Sequence, residues 1–212
     1  GSLLGPNNIG LINNNYAGVF TRPIPKLDEK GVDFISGSGA TAVFMIEAAQ
    51  STGLTFSSVY TVGNSAQIGV EEVLEYFDAN YVEGKSSKIK LLYLESIKKP
   101  GKFLKHSRSL ILKGCKIAAI KAGSSEEGNR AASSHTGALA GSDVFVDTLF
   151  KEAGIIRCYG RNELITLAGI LMQKESKGKS IAIITHAGGP AVMLTDVLAK
   201  NGLKIPQLHG EA

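Results

Sequence analysis

Residues 130–143, RAASSHTGALAGSD, contain one histidine, His135, among small and hydroxyl-bearing side chains. No cysteine or second histidine lies nearby, and no acidic residue lies closer than Asp143. We expect no metal site, because no histidine or cysteine pair in the chain has ligand spacing. A Ser-His-acid triad is also disfavoured, since no strand is followed by a GxSxG motif. On its own, then, His135 is either an ordinary loop residue or a residue whose partners come from elsewhere in the fold.

Two short turns rich in glycine are the next candidates for chemistry. Each follows an apolar run and precedes a helical pattern, so it would present backbone N–H groups and a positive helix end to an anion. Neither turn matches GxGxxG or the P-loop, so each one is weak evidence for phosphate binding, although two are more informative than one. The predicted phosphate-binding residues are Ser36, Gly37, Ser38, Gly39, Ala40 and Thr41 in the first turn, and Ala187, Gly188 and Gly189 in the second.

The elements that would position these residues alternate between strands and helices. Such alternation predicts βαβ units and a parallel sheet covered on both faces, with the flavodoxin-like strand order 2-1-3-4-5. Predicted strands are 32–36, 57–63, 89–96, 116–123 and 154–158, and predicted helices are 42–50, 70–79, 101–114, 142–153 and 162–174. Asn162 is the expected N-cap of the last of these helices.

The chain divides at a polar stretch, KESKGKS, at 174–180. We expect residues 1–175 to form one flavodoxin-like domain and residues 176–212 to begin a second, similar α/β domain that is truncated. Its first predicted strand is 181–185, followed by the second glycine turn, a helix and a strand at 203–206. The chain is therefore expected to be a fragment of a longer protein.

The predicted strand order brings separate features to one crevice. In a 2-1-3-4-5 sheet the ligand lies beyond the carboxyl ends of strands 1 and 3, where the first glycine turn and Glu95 would meet. The loop that carries His135 starts at the same edge. A carboxylate bonded to one imidazole nitrogen makes the other nitrogen a better nucleophile, so His135 could accept a phosphoryl group held by backbone amides.

Small neighbours of the histidine, Ser134, Thr136 and Gly137, would leave space for a phosphate. Other interpretations of these residues stay open at this point. Glu95 could instead face solvent or pair with Lys98 or Lys99, and His186, at the second turn, could line the same site.

Several segments, in order along the chain, resemble the NDP-forming acyl-CoA synthetases, relatives of succinyl-CoA synthetase. They are GPNNIGLIN (5–13), GNSAQIGVEEVLEYF (63–77), LYLESI (92–97), KAGSSEEGNRAASSHTGALAGSD (121–143) and THAGGPAVMLTDVLAKNGLKIPQL (185–208). The resemblance implies interconversion of a carboxylic acid, CoA and ATP with acyl-CoA, ADP and phosphate through a phosphohistidine. It implies that His135 is phosphorylated, that Glu95 orients it, and that both glycine turns bind the phosphate.

The same resemblance places Asn64 in an active-site loop, where Gln67 stands in place of an expected acid. It implies that CoA and Mg-ATP are substrates rather than permanent cofactors. They would be bound mainly by a CoA-binding domain and an ATP-grasp domain or subunit that this sequence lacks, in a protein that is expected to be an oligomer. This piece alone is expected to be inactive.

Composition and charge exclude some of the remaining classes of function. The net charge is +4 with no basic stripe of interleaved aromatics, which argues against nucleic-acid binding, and no run is long enough for a membrane span. Apolar contexts around both cysteines fit the cytoplasm. The main alternative is a regulatory module, sensing acyl-CoA or another small molecule, of a protein N-acetyltransferase. A flavodoxin-like electron carrier is disfavoured, because no Trp or Tyr lies near the first turn.

Overall fold

The computed structural model describes residues 1–22, 24–128, 130–131, 142–174 and 177–207. The chain forms two compact units, Gly1–Gln173 and Lys174–Ala212. In the described part of the chain, no helix is both long and apolar enough to cross a membrane.

The first unit is built on a seven-stranded sheet of order β2-β1-β4-β3-β5-β6-β7. The strands are β1 (Gly10–Asn13), β2 (Tyr16–Val19), β3 (Leu27–Ser36), β4 (Phe56–Thr61), β5 (Ile89–Leu94), β6 (Lys116–Lys121) and β7 (Ile156–Cys158). β4, β3, β5, β6 and β7 pair in parallel. Their spatial order is 2-1-3-4-5, so the predicted flavodoxin-like fold is confirmed.

The sequence patterns did not predict the hairpin that extends this sheet. β1 pairs antiparallel with both β2 and β4, which places residues 10–19 on the β4 edge. These strands are four residues each, too short to show a clear alternation of apolar and polar side chains.

Helices cover both faces of the sheet. They are α1 (Gly39–Thr52), α2 (Val70–Ala79), α3 (Pro100–Leu112), α4 (Asp143–Ala153) and α5 (Arg161–Leu171). Successive residues of a strand point to opposite faces. Phe34 and Leu91 therefore pack in the core under α1 and α5, while Ile35 and Leu92 pack under α2, α3 and α4. Burial on both faces explains why the central strands are continuous apolar runs.

The predicted cap of the last of these helices is wrong. α5 begins at Arg161 and its N-cap is Gly160, so Asn162 lies inside the first turn. The reason is Glu163, whose Oε2 accepts a hydrogen bond from the Tyr159 amide at 2.7 Å. An acid three residues past the N-cap, reaching back to the amides that precede the helix, moves the start two residues earlier.

The second unit contains α6 (Gly188–Lys200), as the sequence predicts. The predicted strands at 181–185 and 203–206 are wrong. The β-structure among the described residues of this unit is one isolated bridge, between Ser180 and Lys204. The Ile181 amide donates to the Lys204 carbonyl and the Lys204 amide to that of Lys179. A ladder needs further paired residues, and Ile184, in the middle of the apolar run, is 96% exposed.

Candidate active site

The first glycine turn is held in shape by its own serine side chains. Ser36 Oγ donates to the Ser38 carbonyl oxygen at 2.7 Å and accepts from the Ser38 amide at 3.2 Å. Ser38 is the N-cap of α1, and its Oγ accepts from the Thr41 amide at 3.3 Å. Helix geometry leaves the Gly39 and Ala40 amides without carbonyl partners inside α1. These two amides are the donors that an anion at this helix end would meet.

Glu95 lies against this turn. The Gly37 amide donates to the Tyr93 carbonyl oxygen at 2.8 Å, continuing the pairing of β3 with β5 past the strand ends. A Cβ placed on Gly37 would lie 3.4 Å from the Glu95 nitrogen and 3.6 Å from Glu95 Cγ. The structure therefore brings together two of the predicted site features, the half-buried acid and the first glycine turn.

The charge of Glu95 affects the pKa values of two neighbouring residues, Tyr93 and Lys121. Burial raises the pKa of Tyr93, a hydrogen bond with Thr41 lowers it, and the charge of Glu95 raises it again. Burial lowers the pKa of Lys121, which ends β6, while the charges of Asp143 and Glu95 act in the opposite direction. Glu95 thus lies among ionisable groups at the carboxyl ends of β5 and β6.

Asn64 lies beyond β4, on the other side of the turn from Glu95, because β4 and β5 flank β3. Its amide donates to the Pro6 carbonyl oxygen at 2.9 Å, and its Oδ1 accepts from Asn7 Nδ2 at 3.3 Å. Lys98, in the segment that follows Glu95, donates from Nζ to the Asn64 carbonyl oxygen at 2.7 Å. The loops after β4 and β5 are therefore tied to each other and to the N-terminal segment.

The sequence patterns did not predict that the N-terminal segment is part of this site. A Cβ placed on Gly39 would lie 2.8 Å from Ile9 Cγ2, so residues 8 and 9 pack directly on the start of α1. Gln67, which stands in place of an expected acid, accepts from the Leu3 amide at 2.7 Å and so anchors this segment. The motif GPNNIG was noted only for its resemblance, although its paired asparagines were a usable signal.

Two non-glycine residues at this edge adopt left-handed backbone conformations, Asn7 with φ 59° and Ser65 with φ 51°. Such conformations are costly for most residues and collect at functional loops. Both residues belong to the segments that surround Asn64, which makes this edge the best candidate for function in the first unit.

His135, Ser134, Thr136 and Gly137 lie outside the described residues. The described ends of their segment do lie at the relevant edge: Lys121 ends β6, and Asp143 begins α4 close enough to affect the pKa of Lys121. The described residues on the two sides of this segment therefore lie at the carboxyl edge of the sheet.

The second glycine turn belongs to the second unit. Ala187 is the N-cap of α6, and Gly188 and Gly189 form its first turn. The Ala187 amide donates to Thr185 Oγ1 at 3.1 Å, and no side chain of the described residues caps the helix. The amides of this first turn could meet an anion in the same way as those of α1.

The chemistry that the first unit allows follows from the signs of its charges. A helix N-terminus attracts an anion, whereas the neighbouring carboxylate of Glu95 would repel one. The two features suit a group that contacts both, such as an imidazole that donates to the carboxylate and carries a phosphoryl group toward the amides.

The chain is similar to proteins of one known family. A family model described as succinyl-CoA ligase like flavodoxin domain matches residues 29–171. The chain is 38% identical, over 96% of its length, to an ADP-forming acetate–CoA ligase of Methanocaldococcus jannaschii, of which it covers 28%. It is 34% identical to the alpha subunit of ADP-forming acetate–CoA ligase II of Pyrococcus furiosus, covering 98% of this chain and 44% of that subunit.

A solved structure shows the same fold. It is a dinucleotide-forming acetyl-coenzyme A synthetase 1 from Candidatus Korarchaeum cryptofilum, in complex with phosphate and ADP. The match has a TM-score of 0.81 at 29% identity and covers 96% of this chain and 44% of that one. This chain thus spans less than half the length of each of these three proteins.

Proposed function

Because this chain belongs to the succinyl-CoA ligase-like flavodoxin domain family, we propose that it is the phosphoryl-carrying core of an ADP-forming acyl-CoA synthetase. The complete protein would interconvert a carboxylic acid, CoA and ATP with acyl-CoA, ADP and phosphate. The observation that carries the proposal is the position of Glu95 beside the glycine turn at the start of α1. Lys121 and Asp143, which lie on the two sides of the segment with His135 along the chain, are at that edge.

In this mechanism His135 is the nucleophile. One imidazole nitrogen donates its proton in a hydrogen bond to Glu95, which fixes the tautomer and leaves the other nitrogen free to attack. That nitrogen attacks the phosphorus of an acyl phosphate, an N–P bond forms, and the P–O bond breaks to release the carboxylate. The phosphoryl group then passes to ADP. Gly39 and Ala40 donate to the phosphate oxygens, which stabilises the charge spread over them during both transfers.

The second unit extends this proposal. We propose that residues 176–212 are the beginning of a second flavodoxin-like ligase domain, whose turn at Ala187, Gly188 and Gly189 supplies another helix N-terminus for the phosphate. A CoA-binding domain and an ATP-grasp domain or subunit would complete the enzyme. Support comes from the small share of each relative that the chain covers and from the name of one relative as an alpha subunit. The 212 residues alone would then not catalyse the complete reaction.

Phosphorylation of the complete protein tests the proposal. Incubation with γ-labelled ATP and Mg²⁺, or with acyl-CoA and labelled phosphate, should give a phosphoprotein that is labile in acid and stable in base. His135→Ala should carry no label. His106→Gln is the matched control and should retain the label. His106 lies on α3 and is buried against α2, with its Nδ1 2.8 Å from Asp78 Oδ2. Stable labelling of His135→Ala would overturn the assignment.

The same experiment separates this function from a sensing module of a protein N-acetyltransferase. A module that only senses an acyl-CoA has no need of phosphoryl transfer, so it would bind acyl-CoA without becoming labelled. Labelling that is lost in His135→Ala, and that is chased by ADP, supports the ligase.

A further inference from the structure

A polar cavity of about 200 Å³ opens toward the amino ends of β4 and β5, on the face of the sheet covered by α2. Its inner wall includes Asp33, Ser58 and Lys90, which are paired partners on β3, β4 and β5. The cavity is thus at the opposite edge of the sheet from Glu95 and the first glycine turn. Sites for drug-sized molecules usually measure roughly 300–1,000 Å³, so a ligand of this cavity must be smaller.

A buried ion pair supplies an acceptor in this wall. Lys90 Nζ lies 2.5 Å from Asp33 Oδ2, donates to the Ser87 carbonyl oxygen, and lies 5.0 Å from the centre of the Phe77 ring. The hydrogens of Lys90 are therefore directed to groups of the fold. Asp33 Oδ1 accepts from Ser58 Oγ at 2.6 Å. An ionised carboxylate has about four acceptor positions, so Asp33 retains some for a ligand.

Tyr60 supplies a donor close to this acceptor. Its side chain is buried, and its hydroxyl oxygen accepts from Asn13 Nδ2 at 3.0 Å. A hydroxyl that accepts one hydrogen bond still has its own hydrogen to donate. Burial raises the pKa of Tyr60, the bond with Asn13 lowers it, and the charges of Tyr76 and Asp33 raise it further. Tyr60 therefore stays protonated at neutral pH and lies close enough to Asp33 to be affected by its charge.

The charges of the inner wall favour a neutral ligand. Asp33 would repel an anion and Lys90 would repel a cation. Hydroxyl groups can both donate and accept, so adjacent hydroxyls of one molecule can bond to Asp33 and to Tyr60. The ring of Tyr76, which also lines the cavity and is 51% exposed, offers apolar surface to the carbon atoms of such a molecule.

From these groups we propose that the cavity binds a small neutral compound with adjacent hydroxyl groups, a polyol or a pentose. One hydroxyl donates to the Asp33 carboxylate and a neighbouring one accepts from the Tyr60 hydroxyl. Both protein groups are held before the ligand arrives, Asp33 by Ser58 and Lys90 and Tyr60 by Asn13, which lowers the entropy lost on binding. The site uses no group of the carboxyl edge and goes beyond the proposed phosphoryl transfer.

Binding to the 212-residue chain tests the proposal. A ¹⁵N-labelled sample is titrated with xylitol, D-ribose, cyclopentanol and D-ribose 5-phosphate. We expect saturable shifts of the Asn14, Ser58 and Ser86 amides with xylitol or D-ribose, and the comparison of these two distinguishes an open-chain polyol from a sugar. Cyclopentanol keeps one hydroxyl and should bind at least roughly tenfold more weakly, because most of the hydrogen bonds are lost. D-ribose 5-phosphate should also bind more weakly than D-ribose, because Asp33 repels its phosphate.

Tyr60→Phe removes the donor, keeps the ring, and should weaken binding of xylitol or D-ribose by roughly tenfold. Tyr159→Phe is the matched control and should bind like the parent chain, because the Tyr159 ring lies against Arg157, outside the cavity. If Tyr60→Phe does not fold, Tyr76→Ala replaces it and should weaken binding severalfold.

The double variant Asp33→Leu with Lys90→Met removes the acceptor together with its counter-charge and should abolish saturable binding. The proposal is overturned if neither xylitol nor D-ribose gives shifts that saturate, or if cyclopentanol or D-ribose 5-phosphate binds as tightly as these two compounds. Normal binding to Tyr60→Phe, or to its replacement, would also overturn it.

Discussion

Gly37 and Glu95 lie next to each other across the ends of β3 and β5, so that a Cβ added to Gly37 would be in van der Waals contact with Glu95, 3.6 Å from its Cγ. An alanine fits at this distance, but the γ carbons of a valine would push against the glutamate. We expect Gly37→Ala to change the free energy of unfolding by no more than about 1 kcal/mol. Gly37→Val should displace Glu95 and slow labelling of the complete protein by roughly tenfold or more.

The measurement is the rate of phosphorylation together with urea unfolding of both variants. Gly101→Val is the control, since nothing lies within 4 Å of a Cβ at Gly101 and the residue is far from the turn in sequence. If Gly37→Val is labelled as fast as the parent protein, the contact with Glu95 has no part in the reaction.

Glu95→Gln keeps the size of the side chain and removes its charge. If Glu95 orients His135, phosphorylation should slow by about 10²-fold or more, because the amide does not hold the imidazole proton as the carboxylate does. Unfolding in urea should be nearly unchanged. Glu83→Gln, at an exposed glutamate, is the comparison. Unchanged labelling of Glu95→Gln would make Glu95 a structural residue only.

Asp33 and Lys90 form a buried ion pair under α2, with Nζ 2.5 Å from Oδ2 and side chains 8% and 2% exposed. Lys90→Met would leave the buried Asp33 carboxylate without its counter-charge, although the Ser58 hydroxyl would still donate to it, so we expect a loss of about 3–5 kcal/mol in unfolding free energy. The double variant Asp33→Leu with Lys90→Met should recover much of that loss. Equal destabilisation of the single and double variants would contradict this account.

The control for this pair is Lys88→Met, which breaks an exposed bridge to Glu83 whose side chains are 52% and 68% exposed. Exposed pairs are screened by water and contribute little. Urea titrations of all four proteins at the same pH should therefore show no clear change for Lys88→Met.

Glu72 should make stability depend on acid pH. Burial acts to raise the pKa of Glu72, but hydrogen bonds from Lys99, the Gly69 amide and Lys102 lower it to about 2. A carboxyl whose pKa is lowered by folding stabilises the protein above its unfolded pKa of 4.5, and this contribution is lost as the pH falls toward 2. We expect a contribution of about 1–2 kcal/mol at neutral pH.

Glu72→Gln keeps an oxygen that can accept from the Gly69 amide, so it isolates the charge. The stability of the variant should fall less steeply than that of the parent chain between pH 4.5 and 2, as measured by thermal unfolding at a series of pH values. Glu47→Gln, on the exposed side of α1, should follow the parent curve. Parallel curves for Glu72→Gln and the parent would refute the role of this carboxylate.

Gly63 connects β4 to the Asn64 loop with φ +55°, and a Cβ there would lie 2.1 Å from the Pro6 carbonyl oxygen. Gly63→Ala should destabilise the chain by about 2–3 kcal/mol and disturb the segment that packs on α1. Gly84→Ala is a close control: its φ is +79°, but nothing lies within 4 Å of the added Cβ. The control substitution should lower the free energy of unfolding by about 1 kcal/mol. Equal losses of unfolding free energy in the two variants would rule out the clash.

The fold of the first unit was readable from local patterns, because a strand buried on both faces must be apolar throughout and a covering helix must repeat its apolar residues every third or fourth position. Runs such as 89–96 and 116–123 met that condition, and the strand order then placed Glu95 beside the first glycine turn. The strands β1 and β2 are too short to show a period, so their hairpin was missed, and the start of α5 was misplaced because the Glu163 side chain bonds back to the Tyr159 amide.

The residue types and their order along the chain were enough to indicate a histidine, an acid and two glycine turns as candidate site features, because such motifs can be recognised without the fold. Only the tertiary structure decided which groups share an edge. It packed Ile9 and the backbone of Asn8 on the start of α1, tied Lys98 to the Asn64 loop and buried Lys121 at the end of β6. Contacts between residues distant in sequence depend on how strands and loops meet in space, and no local pattern of side chains specifies that.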